Sequence, residues 1–435
     1  MSAFANLSRL PELRKRLVFT AIMVAVYRLG VHIPTPGINI KAFSKLFESQ
    51  EGLLNIVNLF NGGALEQFSI FALGIMPYIS ASIIFQLLTV SLPSLKRLQE
   101  EGEAGRQKIN QWTRYGTVLL SLIQGFGISY GLYQKQAVLE NLPMWRFVLT
   151  AMVTLAAGTC FIMWLGEQIT ERGIGNGISL LIFSGIVARI PRGFEQAWTQ
   201  KEDFGSFIGF LLLLGFIFLL ISAIIFFERA QRRIPIQYAK RIVGRKMYAG
   251  QSTHLPLKIN MAGVIPPIFA SSILLFPATV AGFSENETLK QVAALFNNNW
   301  FHDSLYVVGI IFFTYFYTAV SFDPQNVAEN LQKNGGFIPG IRPGKSTVEF
   351  MDRVLTRITL GGALYLSIIC VLPQILINQF NIPANLAFTF GGTSLLIVVG
   401  VAMDTVSQVE SHLIARNYEG FLGAKAGRFK GRKAS

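Results

Sequence analysis

The segment with the most suggestive chemistry is GIRPGKS, Gly340 to Ser346, whose glycines and lysine resemble a loop that wraps a nucleotide phosphate. Such a loop needs four residues between its first glycine and the Gly-Lys-Ser, so that consecutive backbone N–H groups close around the anion. Three stand there, and no strand pattern precedes them, so the segment reads as a turn-rich, basic, exposed loop. The glycines at 173, 175 and 177 likewise lack a preceding strand and predict a tight turn between helices. His32, His254, His302 and His412 lie on separate segments without ligand spacing, so no metal site is expected. Cys160 and Cys370 fall inside apolar runs and read as small buried hydrophobes rather than a disulfide or a ligand pair. No cofactor, nucleophile or acid pair emerges, and an enzyme is not expected.

The elements that carry these residues are apolar. Only 14% of the chain is charged while 51% is hydrophobic, against roughly 25% charged residues in a soluble protein. Runs free of ionisable side chains occur near 17–27, 74–92, 115–133, 147–166, 173–188, 204–227, 259–281, 304–322, 358–378 and 380–403, which predicts ten membrane spans. The basic start before residue 17 has no small-residue cleavage site after its apolar run, so it is read as the approach to the first span. The formal net charge is +14, which calls for an anionic partner: nucleic acid, anionic lipid or an acidic protein face. With the N-terminus in the cytoplasm, 29 of the 38 Lys and Arg fall on that side, which predicts both termini there. The segments 228–258 and 323–357 hold 13 of them.

A repeat appears once the runs are numbered. GIMPYISASII from Gly74 and GVIPPIFASSI from Gly263 align at an offset of 189, matching Gly74, Pro77, Ile79, Ala81, Ser82 and Ile84 to identical residues. Spans one to five and six to ten then form two halves, and an odd number of spans in each inverts their orientation. Glu167, Glu228, Asp323 and Asp404 all lie at run ends, whereas ion-coupled carriers place such residues near mid-membrane. The mid-membrane positions that stand out are Ile75, Ile79, Ile178, Ile182, Val264, Ile268 and Ile397. The first three pairs are spaced i,i+4, and aliphatic side chains facing one another across a pore would stop ions and water by dewetting. Between spans one and two, residues 57–73 are too short and too polar to cross a bilayer, and Asn61-Gly62-Gly63 interrupts them. Such a stretch is either a surface helix or a half-helix folded inside the protein, where it must line or fill a cavity.

Four stretches in order, NGGALEQFSIFALGIMPYISAS, WLGEQITERGIGNGIS, QSTHLPLKINMAGVIPPIFASS and GFIPGIRPGKST, together with RLGVHIPTPGI and FGGTSLLIVV, make the chain similar to the SecY family of protein-translocation channels. The resemblance implies an all-α polytopic membrane protein with ten transmembrane helices in two inverted five-helix halves and a short re-entrant plug helix. It implies an N-terminal half over 1–205, with the plug at 57–71, a C-terminal half over 206–415, and a basic tail over 416–435. By resemblance, Ile75, Ile79, Ile178, Ile182, Ile268 and Ile397 match a pore ring, and Phe60, Asn61, Gly62, Gly63, Leu65 and Phe68 match the plug. Gln86, Thr89 and Phe276 match a lateral gate, and Arg245, Lys246 and Arg342 match contacts for the SecA ATPase or the ribosome. The implied partners are SecE-like and SecG-like small membrane subunits, SecA, the ribosome, unfolded preprotein with its signal sequence, and anionic lipid. The implied location is the bacterial inner membrane. Two departures stand out: Pro267 occupies a position where the family has a small residue, which is expected to stiffen span seven, and the loop at 134–146 is short. A secondary transporter of a small solute is the rival class; its inverted repeats would fit, but the uncharged spans and large basic loops would not.

Overall fold

The computed structural model describes residues 11–40, 42–43, 58, 61–139, 142–199, 207–238, 241–243, 246–248, 252–282, 299–380, 387 and 390–430. The chain is mostly helical, and each expected apolar run overlaps a helix over its described residues, with run 380–403 falling partly outside them. In order these are α1 (Pro11–Val31), α2 (Met76–Ser91), α3 (Pro93–Glu100), α4 (Glu103–Gln134), α5 (Met144–Arg172), α6 (Gly177–Val187), α7 (Ile190–Thr199) and α8 (Phe207–Arg229). Four strands follow, β1 (Gln231–Tyr238), β2 (Arg241–Val243), β3 (Lys246–Tyr248) and β4 (Ser252–Lys258). The remainder comprises α9 (Ile265–Gly282), α10 (Asn299–Ser321), α11 (Pro324–Lys333), β5 (Gly336–Phe337), α12 (Lys345–Phe380) and α13 (Gly392–Lys430). Among the described residues, six helical stretches are long and apolar enough to cross a membrane, and a seventh results if the bent pair α2–α3 counts as one. That pair bends by 98° at a proline junction: Leu92 is extended, as a residue before proline must be, and Pro93 opens α3 where its missing N–H costs nothing.

Residues 1–78, 114–191 and 397–435 form one compact unit, and residues 79–113 and 192–396 form another. In the first, α1 packs on α5 and α6, and the Arg114 guanidinium pairs with Glu167 at 2.8 Å between α4 and α5. The turn at 173–177 is held from two sides, because Thr20 Oγ1 accepts from Ile174 N at 3.2 Å and Gln408 Oε1 accepts from Gly175 N at 2.8 Å. Asn176 then caps α6, accepting from the N–H groups of Ile178 and Ser179.

In the second unit α9 packs on α10 and α10 on α12. Pro267 lies in the first turn of α9, where no intrahelical partner would await its N–H, so its missing donor costs the helix no hydrogen bond. The basic segment 228–258 is not a plain loop: β1 pairs antiparallel with β4 from Gln231↔Lys258 to Gln237↔Ser252, and β5 adds to Gln237 and Tyr238. Ile234 and Ile236 point inward between exposed Arg233, Pro235 and Gln237, the alternation of a half-buried strand. Ile234, Leu257, Ile338, Met351 and Leu355 close a small core beneath this sheet.

Candidate functional site

The aliphatic positions fall on five segments. Ile75 ends the run of turns before α2, Ile79 follows in the first turn of α2, and Ile178 and Ile182 share one face of α6. Ile268 is in α9 and Ile397 in α13. Ile75, Ile79, Ile182, Ile268 and Ile397 are buried, and Ile178 is half-buried. Four of the six, Ile75, Ile178, Ile182 and Ile397, belong to the first compact unit, and Ile79 and Ile268 to the second.

The segment expected as a plug helix takes a different local form. From Asn61 to Ile75 it is a succession of turns rather than a helix, while Phe60 lies outside the described residues. Its geometry explains the departure. Gly62 and Gly63 have φ of 63° and 90°, and Phe68 itself takes φ of 41°, so a helix cannot propagate through the segment. Internal turn bonds such as Gly63 N to Asn58 O and Ser69 N to Ala64 O, both at 2.9 Å, are joined by two outward ones: Thr35 N donates to Phe68 O, and Ile70 N donates to Ile33 O, both at 2.9 Å. Tyr27 Oη donates to Asn61 O at 3.3 Å, and the Arg28 guanidinium to Gly62 O at 3.0 Å. Gly62 lies against the Gly185 backbone of α6, and a Cβ there would overlap it.

Side chains fix the segment as firmly. Phe68 is fully buried with Leu65, Ala72 and Leu73 in a core built from Ile38, Phe43, Phe147, Val148, Ala151 and Leu155. Phe71 stacks between Tyr27 and Phe161, with ring centroids 5.9 and 6.0 Å apart. Glu66 N donates to Asn58 Oδ1 at 3.0 Å, Asn58 Nδ2 donates back to Glu66 Oε2 at 3.3 Å, and Arg189 Nη2 stands 3.9 Å from the same carboxylate oxygen. Tyr27, Arg28, Asn58, Glu66 and Arg189 were not singled out by sequence reasoning. The one visible signal among them was Arg28, a charge that cuts short the first apolar run.

The repeat is visible in the backbone. Gly74 has φ of 55° and Gly263 of 62°, and each precedes by two residues the start of its helix, α2 at Met76 and α9 at Ile265. A buried asparagine steadies each turn: Asn61 Nδ2 donates to Ala72 O at 2.7 Å, and Asn260 Nδ2 to Gly263 O at 3.2 Å and to Glu228 Oε1 at 2.7 Å.

At the gate positions, Thr89 is buried and its hydroxyl donates to Phe85 O at 2.6 Å. Gln86 Nε2 donates to Ser82 Oγ at 3.5 Å, and its buried Oε1 has no hydrogen-bond partner among the described residues. Phe276 lies on α9 with its side chain outside the described residues, as does that of Lys246 on β3; Arg245 lies outside them altogether. Arg342 is exposed on the turn between β5 and α12, where its carbonyl accepts from Thr347 Oγ1 at 3.0 Å. Gly340 and Gly344, with φ of 82° and 102°, give this segment its turns.

A sequence model of the SecY family matches residues 69–406. The chain belongs to the SecY family. The protein translocase subunit SecY of Pseudomonas aeruginosa is 51% identical over 429 residues, covering 97% of this chain and 96% of its own. Among solved structures, a protein-conducting channel matches with a TM-score of 0.68 at 15% identity, covering 94% of this chain and 96% of that one. A second, in which the SecY plug domain stabilises the closed translocation channel and maintains a membrane seal, matches with a TM-score of 0.64 at 16% identity over the same shares. The SecY fold is thus shared at low identity, and this chain is a multi-pass membrane protein.

Proposed function

We propose that this SecY-family chain is the protein-conducting channel subunit of a bacterial Sec translocon. The reading rests foremost on one observation: five of six candidate ring positions are buried aliphatics, and the ten runs that carry or flank them contain no ionisable residue. Isoleucine side chains deform around any passing residue and offer no hydrogen bond that would select or hold one. An aliphatic constriction of this chemistry excludes water and with it ions. The turn-built segment around 61–68 is the plug that backs this seal, and its many polar bonds to neighbouring elements give it a defined resting seat.

The ten helices form two inverted five-span halves, 1–205 and 206–415, followed by the basic tail. Signal sequences and membrane segments leave sideways past Gln86, Thr89 and Phe276, because apolar transfer into lipid favours them by about 25 cal/mol per Å² of buried surface. The chain is a conduit rather than a catalyst, so the driving force comes from SecA or a translating ribosome docked on the basic segments that carry Arg245, Lys246 and Arg342. SecE-like and SecG-like subunits complete the complex. Both termini lie in the cytoplasm and the complex resides in the inner membrane, where anionic lipid takes part of the basic charge.

Replacing Ile397 with Asn tests the ring. The expected result is a raised ion leak in proteoliposomes and export of precursors with defective signal sequences; an unchanged leak together with unchanged selectivity would refute the reading.

A further inference from the structure

Two cations reach the segment at 58–71 from the helices around it. Arg28, near the end of α1, donates to Gly62 O at 3.0 Å, and Arg189, just beyond α6, stands 3.9 Å from Glu66 Oε2. The same carboxylate closes the segment on itself through the reciprocal bonds with buried Asn58. Glu66 therefore joins the internal loop of the segment to a fixed point on the helix that carries Ile178 and Ile182. The other contacts described above for the seat are apolar or hydrogen bonds to neutral groups of the segment. Charge thus enters the seat at one carboxylate and two guanidinium groups.

We propose that Glu66 and Arg189, with Arg28, form a charge latch that positions the plug and sets how often it leaves. The proposal rests on the plug reading given above. The side chains of Glu66 and Arg189 are 44% and 23% exposed, so water screens the pair. A pair of this kind biases an equilibrium by about 1.5- to 5-fold, a size that favours the seat without locking it. A buried pair in the same place would have to be desolvated at each closing and broken at each opening, which costs far more in both directions. Partial exposure lets Glu66 leave with the segment already partly hydrated. It also makes the seal sensitive to the sign of the charge at residue 66, which neutral packing is not.

The test uses the whole complex with its small membrane subunits, reconstituted into liposomes, with ion leak as the readout. Glu66→Gln keeps an acceptor for Asn58 and removes the charge, and it should raise the leak by about 1.5- to 5-fold. Glu66→Arg and Arg189→Glu should each raise it at least as far, because they set like charges together. The double swap Glu66→Arg with Arg189→Glu should return the leak to near the level of the unchanged chain. Removal of residues 61–68, with co-purification of the small subunits as the check on assembly, should exceed every point variant. Silent single variants beside a leaky deletion would overturn the latch and leave the plug standing. A silent deletion in an assembled complex would overturn both. Leaky single variants without recovery in the double swap would show that the ion pair is not the cause.

Discussion

The linker that leads into α2 and the linker that leads into α9 occupy the same slot of the repeat, and they end alike, at a left-handed glycine two residues before the helix. What precedes those glycines differs in where the backbone bonds go. In the second linker β1 and β4 bond to each other along their length, over a small core shared with Ile338, Met351 and Leu355. In the first linker short turn bonds are supplemented by bonds to α1 and to residues 33–35, and the side chains fill a core shared with other elements. Both linkers thus combine internal bonds with packing on other elements, but only the first also takes borrowed bonds from α1 and residues 33–35 for its turn carbonyls and N–H groups. The same slot thus holds an antiparallel sheet before α9 and a succession of turns before α2.

The comparison can be broken most forcefully at Phe68. Its fully buried ring contributes only to the seated form, so Phe68→Ala should cost that form about 3–5 kcal/mol. Ion flux in proteoliposomes should rise strongly while binding of SecA stays intact; an unchanged flux would mean the first linker keeps its seat without that packing. A sharper and smaller contrast comes from Gly74→Ala and Gly263→Ala. Both must accept a left-handed backbone at about 1–2 kcal/mol, but a Cβ at 74 also meets the Asn61 amide, whereas the space around Gly263 is open. Thermal unfolding of the purified complex should fall further for the first, and equal shifts would remove the asymmetry. The smallest effect on stability belongs to Arg342→Glu, an exposed turn residue expected to change it by less than about 0.5 kcal/mol. SecA-driven export in vesicles should nevertheless drop sharply, and normal export would detach this turn from docking.

Much of this was legible in the sequence because a bilayer punishes charge. The apolar runs marked the helices, and the 189-residue offset foretold two glycines with matching backbone angles. Less legible was anything that depends on borrowed bonds. Gly62 and Gly63 announced a break, but nothing in the residue type of Phe68 announces φ of 41°, which its burial imposes. The sheet was half legible. Arg-Ile-Pro-Ile-Gln alternates like a strand, yet Pro235 argues against a central one; the structure resolves this because β5 pairs only with Gln237 and Tyr238 and leaves Pro235 without a third strand to serve. Glu66 and Arg189 escaped notice because their meeting joins positions more than a hundred residues apart.

The length of α13 has a mechanical consequence. From Ile397 to Lys430 it is an unbroken helix, and at about 1.5 Å per residue it runs roughly 50 Å from a ring position to the basic tail. Near its middle Gln408 holds the N–H of Gly175, two residues before α6 begins with Ile178 in its first turn. A helix of this kind is stiff along its axis. A load applied at its far end would therefore travel along a stiff strut to Ile397 and, through the hydrogen bond from Gly175 N to Gln408, toward the start of α6.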